Sequence, residues 1–330
     1  MTEKRTRRGE FELIAELFSP LTKGAPGALG LADDAALIGV TPGCELVATV
    51  DTLIAGVHFR HDDPPDLIAR KALRVNLSDI AAKGAKPIGF LHALVLNDAI
   101  DDDFLERYAA GLKADVAHFN IPLLGGDTTS GPGPLTISVT AFGEVKKGRA
   151  LLRRGGRLGD VVCVTGTIGD GAVGLDVLNA AVQLPETLAT SVIERYRLPQ
   201  PRFIADSKLA PCVSACMDIS DGLVADIGHL CKASGVAATI ERDAVPLSPG
   251  TQHAVKQNAT IWKRILGGGD DYELAFTLSA EALLELSTLT AGLKFPVTPI
   301  GRIVAGKAGD VTVLADGAVF PVTDGGFRHR

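Results

Sequence analysis

The segment E-L-V-A-T-V-D-T-L-I-A-G-V-H-F at residues 45–59 constrains this chain more than any other. The run 46–50 is short, apolar and partly β-branched, which predicts a strand buried on both faces. Asp51 follows it directly, so an acid is expected at the strand's end. In open α/β sheets ligands collect outside the carboxyl ends of strands, and an acid there is placed to meet a ligand or a metal ion. Taken alone, such an acid reads first as a turn residue capping the next segment. Its recurrence down the chain is what points to function.

Phe11, Ile14, Leu17 and Phe18 recur at helical spacing and predict a short first helix. A glycine-rich connection over 24–30 leads through Asp33-Asp34 into an apolar run at 37–40, expected to be a strand. A helix is predicted over 66–83, with Leu73, Leu77 and Ile80 on one face and Asp79 near its end. The helix dipole disfavours an acid there, so Asp79 asks for a compensating cation. A strand at 87–96 precedes a helix at 101–119, whose Asp101-Asp102-Asp103 start reads as a cap run. An apolar stretch at 122–124 then meets Gly125-Gly126-Asp127-Thr128-Thr129, where glycine lets the backbone approach a bound group. A strand is expected at 135–145, and the Arg- and Gly-rich stretch 146–159 reads as a domain connection.

In the second half, Gly169-Asp170-Gly171-Ala172-Val173-Gly174 follows a strand at 161–164 and matches G-x-G-x-x-G. A dinucleotide site also needs an acid about twenty residues on, at the end of a second strand. Glu194 has the spacing but falls within a predicted helix at 191–196, so tight turning and helix packing account for the glycines. A short strand at 216–219 runs into Asp218-Ile219-Ser220-Asp221-Gly222 and a helix at 223–234. With Ile219 inward, Asp218 and Ser220 share a face, and Asp221 stands at the helix N-terminus. Glycines 267–269 pass through Asp270-Asp271 into a strand at 272–278, and strands near 299–304 and 311–314 complete the chain.

Length favours two domains, expected at 1–147 and 148–330, and 46% apolar residues are ample for two cores. A formal charge of −6, with no Lys/Arg block interleaved with aromatics, argues against a nucleic-acid partner and for cations. Five cysteines, none in a C-x-x-C pair, suggest reduced thiols in a cytoplasmic protein. Lys4, Arg5, Arg7 and Arg8 are not followed by an apolar export core, and no stretch is apolar enough to span a bilayer, so no membrane partner is expected. The acids Asp34, Asp51, Asp79, Asp127, Asp218 and Asp221 each stand at a predicted element end. Oxygen-only ligands suit Mg²⁺ rather than zinc, for which His58-x-x-His61 is too slight a site. His61 is expected to face solvent. There is no G-x-x-x-x-G-K-[ST] loop, H-R-D or D-F-G. A user of ATP would therefore hold the triphosphate mainly through metal bridges.

The succession G-E-F-E-L-I, D-D-A-A, V-D-T-L-I-A-G-V-H-F, V-N-L-S-D-I-A-A-K-G-A, G-G-D-T-T, G-R-A-L-L-R, D-I-S-D-G-L and G-G-D-D-Y-E-L resembles the thiamine-monophosphate kinase family. That family belongs to the ATP-binding superfamily of aminoimidazole ribonucleotide synthetase and selenophosphate synthetase. The match runs from Gly9 to Phe327. The resemblance implies an α/β (α+β) two-domain fold, with an N-terminal ATP- and Mg-binding, dimerising domain and a C-terminal α/β domain completing the active site. It implies a homodimer and transfer of the ATP γ-phosphate to thiamine phosphate, the last step in making thiamine diphosphate. By position, Asp34, Thr49, Val50, Asp51, Asp79, Asp127 and Asp218 would bind Mg²⁺, with Asp221 on a further ion. Gly126, Asp127, Arg153 and Ser220 would contact ATP, and His58, Asp270 and Phe327 the thiamine phosphate.

Three positions depart from the family pattern: Ala32 for Gly before the paired acids, Val50 for Thr, and Asp270 for Glu. Val50 could ligate only through its carbonyl, and Asp270 reaches one methylene less far. Phe327 would stack on the substrate ring or simply pack onto the domain. Within the superfamily, a selenophosphate synthetase would carry a reactive Cys near its start, and the first here is Cys44. A hydrogenase-maturation relative would end in Cys, where this sequence ends Phe327-Arg328-His329-Arg330. From another class, the same acids could serve a non-catalytic ion or nucleotide sensor, which ATP turnover would separate from an enzyme.

Overall fold

The computed structural model describes residues 9–322 and Gly326. Phe327 lies outside the described residues. The chain divides into two compact units, one of Met1–Ile80 with Lys86–Lys147, the other of Ala81–Ala85 with Gly148–Arg330.

In the first unit a short helix α1 (Glu10–Leu13) continues as a π-helical turn, Ile14–Phe18. Strands β1 (Cys44–Ile54), β2 (Lys86–Leu96), β3 (Leu123–Ser130) and β4 (Thr136–Lys146) form a sheet of order β1-β4-β2-β3. Only the β2–β3 pair among these is parallel. Helices α2 (Pro65–Ala82) and α3 (Asp102–Phe119) lie on one sheet face, where Thr49 of β1 bonds Asp79 and His92 of β2 bonds Tyr108. Leu73, Leu77 and Ile80 of α2 are fully buried, as their spacing predicted. Asp101 caps α3, its side chain accepting from the Phe104 N–H at 2.9 Å. The two helices are joined by a buried carboxylate, Asp115 of α3, which accepts from both Arg70 and Arg74 of α2. They approach closely at Gly111, where any Cβ would lie 2.2 Å from the Asp66 carbonyl oxygen.

In the second unit β5 (Val161–Thr165), β6 (Val213–Asp218), β7 (Ala237–Glu241), β8 (Leu274–Leu278), β9 (Val297–Val304), β10 (Val311–Ala315) and β11 (Ala318–Val319) form a sheet of order β11-β10-β7-β9-β5-β8-β6. Successive residues of β5 serve two different cores. Val162 and Val164 join one cluster, with Leu223, Ile227 and Leu230; Val161 and Cys163 join another, with Leu209, Cys216 and Phe276. Burial on both faces is why β5 and β8 show no alternation, and their polar members, Thr165 and Thr277, are hydrogen-bonded. The accompanying helices include α4 (Asp170–Leu178), α5 (Glu186–Arg197), α6 (Leu223–Ser234), α7 (Pro249–Gln257) and α8 (Ile261–Gly267).

Several expectations need correction. Residues 46–50 do not form a strand buried on both faces: β1 runs on to Ile54, and Leu46 and Val50 are 45% and 60% exposed. Asp51 is therefore not at a strand end but paired mid-strand with Val139. Asp127 likewise sits inside β3, which continues through the glycines. Residues 37–40 are not a strand, and Leu37 is exposed. The strand expected from 272 begins at Leu274, because Tyr272 has φ 51°, outside the extended range. Both sheets are mixed and mainly antiparallel, so the rule about carboxyl ends of parallel strands does not place these acids.

Candidate active site

In the first unit the sheet register sorts the candidate residues by face. Asp51 pairs with Val139, Val139 with His92, and His92 with Gly126. This row faces the helices, and Val139 and His92 are buried. The adjacent row, Thr52–Ser138–Ala93–Asp127, faces the other way.

On the helix-covered face Thr49, Asp51 and Asp79 come together. Thr49 Oγ1 donates to Asp79 Oδ2 at 2.5 Å. Burial, and after it the neighbouring Asp79 charge, together raise the Asp51 pKa to about 6. Two carboxylates that repel as they ionise, together with a hydroxyl, form an oxygen donor set suited to a hard divalent cation. Among the described residues, no three His, Cys, Asp or Glu side chains form a ready cage. Val50 points to the opposite face from Asp51 and offers no side-chain donor.

At the edge strand β3 a cavity of about 570 Å³ takes in Asp34, Gly126 and Asp127, with lining from both sheet faces. Phe18, Leu31 and Ile38 contribute apolar wall, and Thr128, Ser138 and Thr140 hydroxyls. Apolar walls with a few convergent polar groups suit a small polar ligand with a flat ring. Gly126 is required by packing, because a Cβ there would lie 2.0 Å from the His92 carbonyl oxygen. His92 itself lines the cavity and bonds Tyr108 through Nε2 at 2.7 Å. Burial lowers its pKa to about 4, so the imidazole is neutral at physiological pH. No local pattern signals this pair, since its partners lie on different elements.

His58 Nδ1 accepts from the Ile54 N–H at 3.0 Å, closing the turn after β1. His61 is exposed as expected.

In the second unit Asp218 ends β6 and is buried. The next turn is organised by a residue the sequence did not single out. Asp226 Oδ2 accepts from the Ser220, Asp221 and Gly222 N–H groups at 3.0, 3.0 and 3.1 Å. Burial and the Asp221 charge nevertheless raise its pKa to about 7. Arg153 is exposed on a loop anchored by Ser234, whose Oγ donates to the Arg153 carbonyl and accepts from Gly155 and Gly156. Asp270 is half-buried with φ 64° in a turn hydrogen-bonded to the Ser220 and Ile219 carbonyls. Beneath it, fully buried Glu273 accepts from Arg195, Arg202 and Thr165.

Two domain models cover most of the chain: the AIR synthase related protein N-terminal domain at residues 32–145 and its C-terminal domain at 157–314. The fold is thus the two-domain AIR synthase type. Curated relatives narrow the class. Thiamine-monophosphate kinase of Caulobacter vibrioides is 41% identical over 90% of this chain and 85% of its own length. That of Escherichia coli K12 is 37% identical over 97% and 98%. Among solved structures, thiamine-monophosphate kinase from Stenotrophomonas maltophilia K279a matches with TM-score 0.81 and 37% identity, covering 92% of this chain and 97% of that one. AaThiL complexed with AMPPCP and TMP matches with TM-score 0.75 and 32% identity, over 99% and 100%. The chain belongs to the thiamine-monophosphate kinase family, and is an enzyme of that kinase class. Among the described residues no helix is long and apolar enough to cross a membrane.

Proposed function

We propose that this enzyme transfers the γ-phosphate of ATP to thiamine phosphate, in a Mg²⁺-dependent reaction giving thiamine diphosphate and ADP. The observation carrying this reading is the pairing of an oxygen-only group, Thr49–Asp51–Asp79, with a glycine-floored cavity holding Asp34 and Asp127. The matching AaThiL structure holds AMPPCP, an unreactive ATP analogue, and TMP. Asp34, Thr49, Asp51, Asp79, Asp127, Asp218, Asp221 and the Val50 carbonyl would hold Mg²⁺. Gly126, Asp127, Arg153 and Ser220 would contact ATP, and His58, Asp270 and Phe327 the acceptor.

Bound Mg²⁺ supplies charge neutralisation between two polyanions. The chain's own groups hold and orient the two substrates. No general base is needed, because the second pKa of a phosphate monoester is ~6 and the attacking oxygen is already largely anionic. Transfer is direct: the acceptor oxygen bonds the γ-phosphorus as the bond from that phosphorus to the β-bridging oxygen breaks.

The sheet also argues for a homodimer. Asp51 and Asp127 lie on opposite edge strands and opposite faces, three strand spacings or ~14 Å apart, so one copy cannot bring both to one ion. The open face carries exposed Leu46 and Val50 on edge strand β1, a surface suited to a second copy. A second copy seated at the β1 edge, where both faces of the sheet are reached, would bring the partner subunit's Asp127 towards the acids of β1 and α2. The five free cysteines fit a reducing, cytoplasmic compartment.

The test is purified protein with ATP, Mg²⁺ and thiamine phosphate, products resolved by chromatography. Thiamine diphosphate and ADP in equal amounts, lost with EDTA, are expected. ADP without thiamine diphosphate would refute the acceptor, and undiminished turnover in EDTA the metal dependence. A labelled phosphoprotein trapped from ATP alone would refute direct transfer.

A further inference from the structure

The Gly169-Asp170-Gly171 turn, unexplained by nucleotide binding, has a partner in the structure. Asp271 is fully buried beside it. Its Oδ1 and Oδ2 both accept from the Gly169 N–H at 2.9 Å, and Oδ1 also accepts from the Gly171 N–H at 3.3 Å. One side chain thereby ties the turn before β8 to the first residues of α4. The tie is close: a Cβ on Gly171 would lie 2.3 Å from the Asp270 carbonyl oxygen and 2.9 Å from its Cβ. Gly171 is thus the seat on which the Asp270 backbone rests. Gly174 has a separate reason, since its Cβ would lie 2.2 Å from the Val192 carbonyl oxygen of α5.

The turn so held is an unfavourable one. Asp270 and Tyr272 have φ of 64° and 51°, the left-handed region that L residues occupy at a cost. Such a conformation persists only where the surroundings over-determine it. Here the surroundings are explicit. The Asp270 N–H donates to the Ser220 carbonyl at 2.9 Å and the Tyr272 N–H to the Ile219 carbonyl at 2.8 Å. Arg195 Nη2 donates to the Asp271 carbonyl at 3.2 Å and to Glu273 Oε1 at 2.7 Å. Asp271 provides the side-chain link between this turn and α4. Asp is also tolerated in the left-handed region better than most residues, which suits it to position 270.

We propose that Asp271 is a positioning residue for the acceptor: by clamping the α4 N-terminus and seating Asp270 on Gly171, it aims the Asp270 carboxylate at thiamine phosphate. This rests on Asp270 contacting the acceptor. Asp271 touches neither substrate, and the G-x-G turn serves acceptor recognition without binding a dinucleotide. Misaiming a binding group should weaken the acceptor and leave ATP untouched.

Steady-state kinetics on the full-length enzyme, with each substrate varied in turn, test this in four variants. Asp271→Ala removes the acceptor of two buried N–H groups. Asp271→Asn keeps a carbonyl oxygen for them. Gly171→Ala leaves every hydrogen-bond acceptor in place and displaces Asp270 sterically, so it reports even if Asp271→Ala fails to fold. Asp270→Asn examines the underlying assignment. Asp271→Ala and Gly171→Ala are expected to raise KM for thiamine phosphate roughly tenfold or more, with KM for ATP within about twofold, and Asp271→Asn to restore most of the loss. Unchanged KM for thiamine phosphate in Asp271→Ala and Gly171→Ala, or equal rises for both substrates, would overturn the positioning role. An Asp270→Asn enzyme with unaltered KM for thiamine phosphate would overturn the Asp270 assignment, and the proposal with it.

Discussion

Replacing His92 and Tyr108 together, as His92→Leu with Tyr108→Phe, should make the protein more resistant to acid while changing its stability little at pH 7.5. The two side chains are buried and joined by a 2.7 Å hydrogen bond. Removing both partners leaves no orphaned donor or acceptor, so the cost at neutral pH is small. The sign at lower pH follows from protonation. An ordinary histidine titrates at 6.5, whereas burial holds His92 near 4. Between those values the unfolded chain binds a proton that the folded chain refuses. The stability His92 contributes is therefore fully present above pH 6.5 and drains away as pH falls towards 4. The whole depression corresponds to about 3 kcal/mol of wild-type stability lost over that window and not lost by the double variant. Urea unfolding at pH 7.5, 5.5 and 4.5 would measure it, followed by far-UV circular dichroism because the single Trp262 lies in the other unit. Parallel losses in both proteins between pH 6.5 and 4 would refute a neutral, proton-refusing His92.

Two further outcomes test the site and its support. Asp51→Asn and Asp127→Asn should each be folded and inactive, and mixing them with subunit exchange should recover about a quarter of wild-type turnover, because half the dimers carry one intact composite site. No recovery from a mixture shown to exchange would refute a site shared between copies. Glu273→Ala should cost about 3–5 kcal/mol by leaving Arg195 and Arg202 without their buried carboxylate. Trp262 fluorescence in urea reads this in the correct unit, and a change below about 1 kcal/mol would show that the arginines are satisfied without Glu273.

Where local chemistry decides, the sequence could be read directly. Helix α6 occupies 223–234 as expected, because an apolar face bounded by Gly222 and Gly235 specifies both ends. Asp101 caps α3 for the same kind of reason. The errors fall where burial depends on something other than the chain's own core. β1 reads as doubly buried because Leu46, Ala48 and Val50 are apolar, yet they occupy its exposed face. An apolar face left on the surface and one buried in a core carry the same signal. Asp226, Glu273 with its arginines, and the His92–Tyr108 pair were missed for another reason. Charged and polar residues ordinarily read as surface, and their partners here are set by folding: Arg202 and Glu273 are 71 residues apart.

The sheet register links these errors to the mechanism. If Asp51 and Asp127 each ended a parallel strand, one copy could gather them at a single sheet edge, and the proposed shared site would not require a second copy. In the observed sheet, β1 and β3 are opposite edges, and their acids face opposite ways. The same alternation that turns Asp51 towards Asp79 turns Val50 and Leu46 outwards. Inward acids and outward apolar residues on β1 are therefore two results of one period. A change that shifted β1 by one residue would bury Val50, expose Asp51 and remove the surface proposed for a second copy at once. The apolar edge and the separated acids consequently stand or fall together.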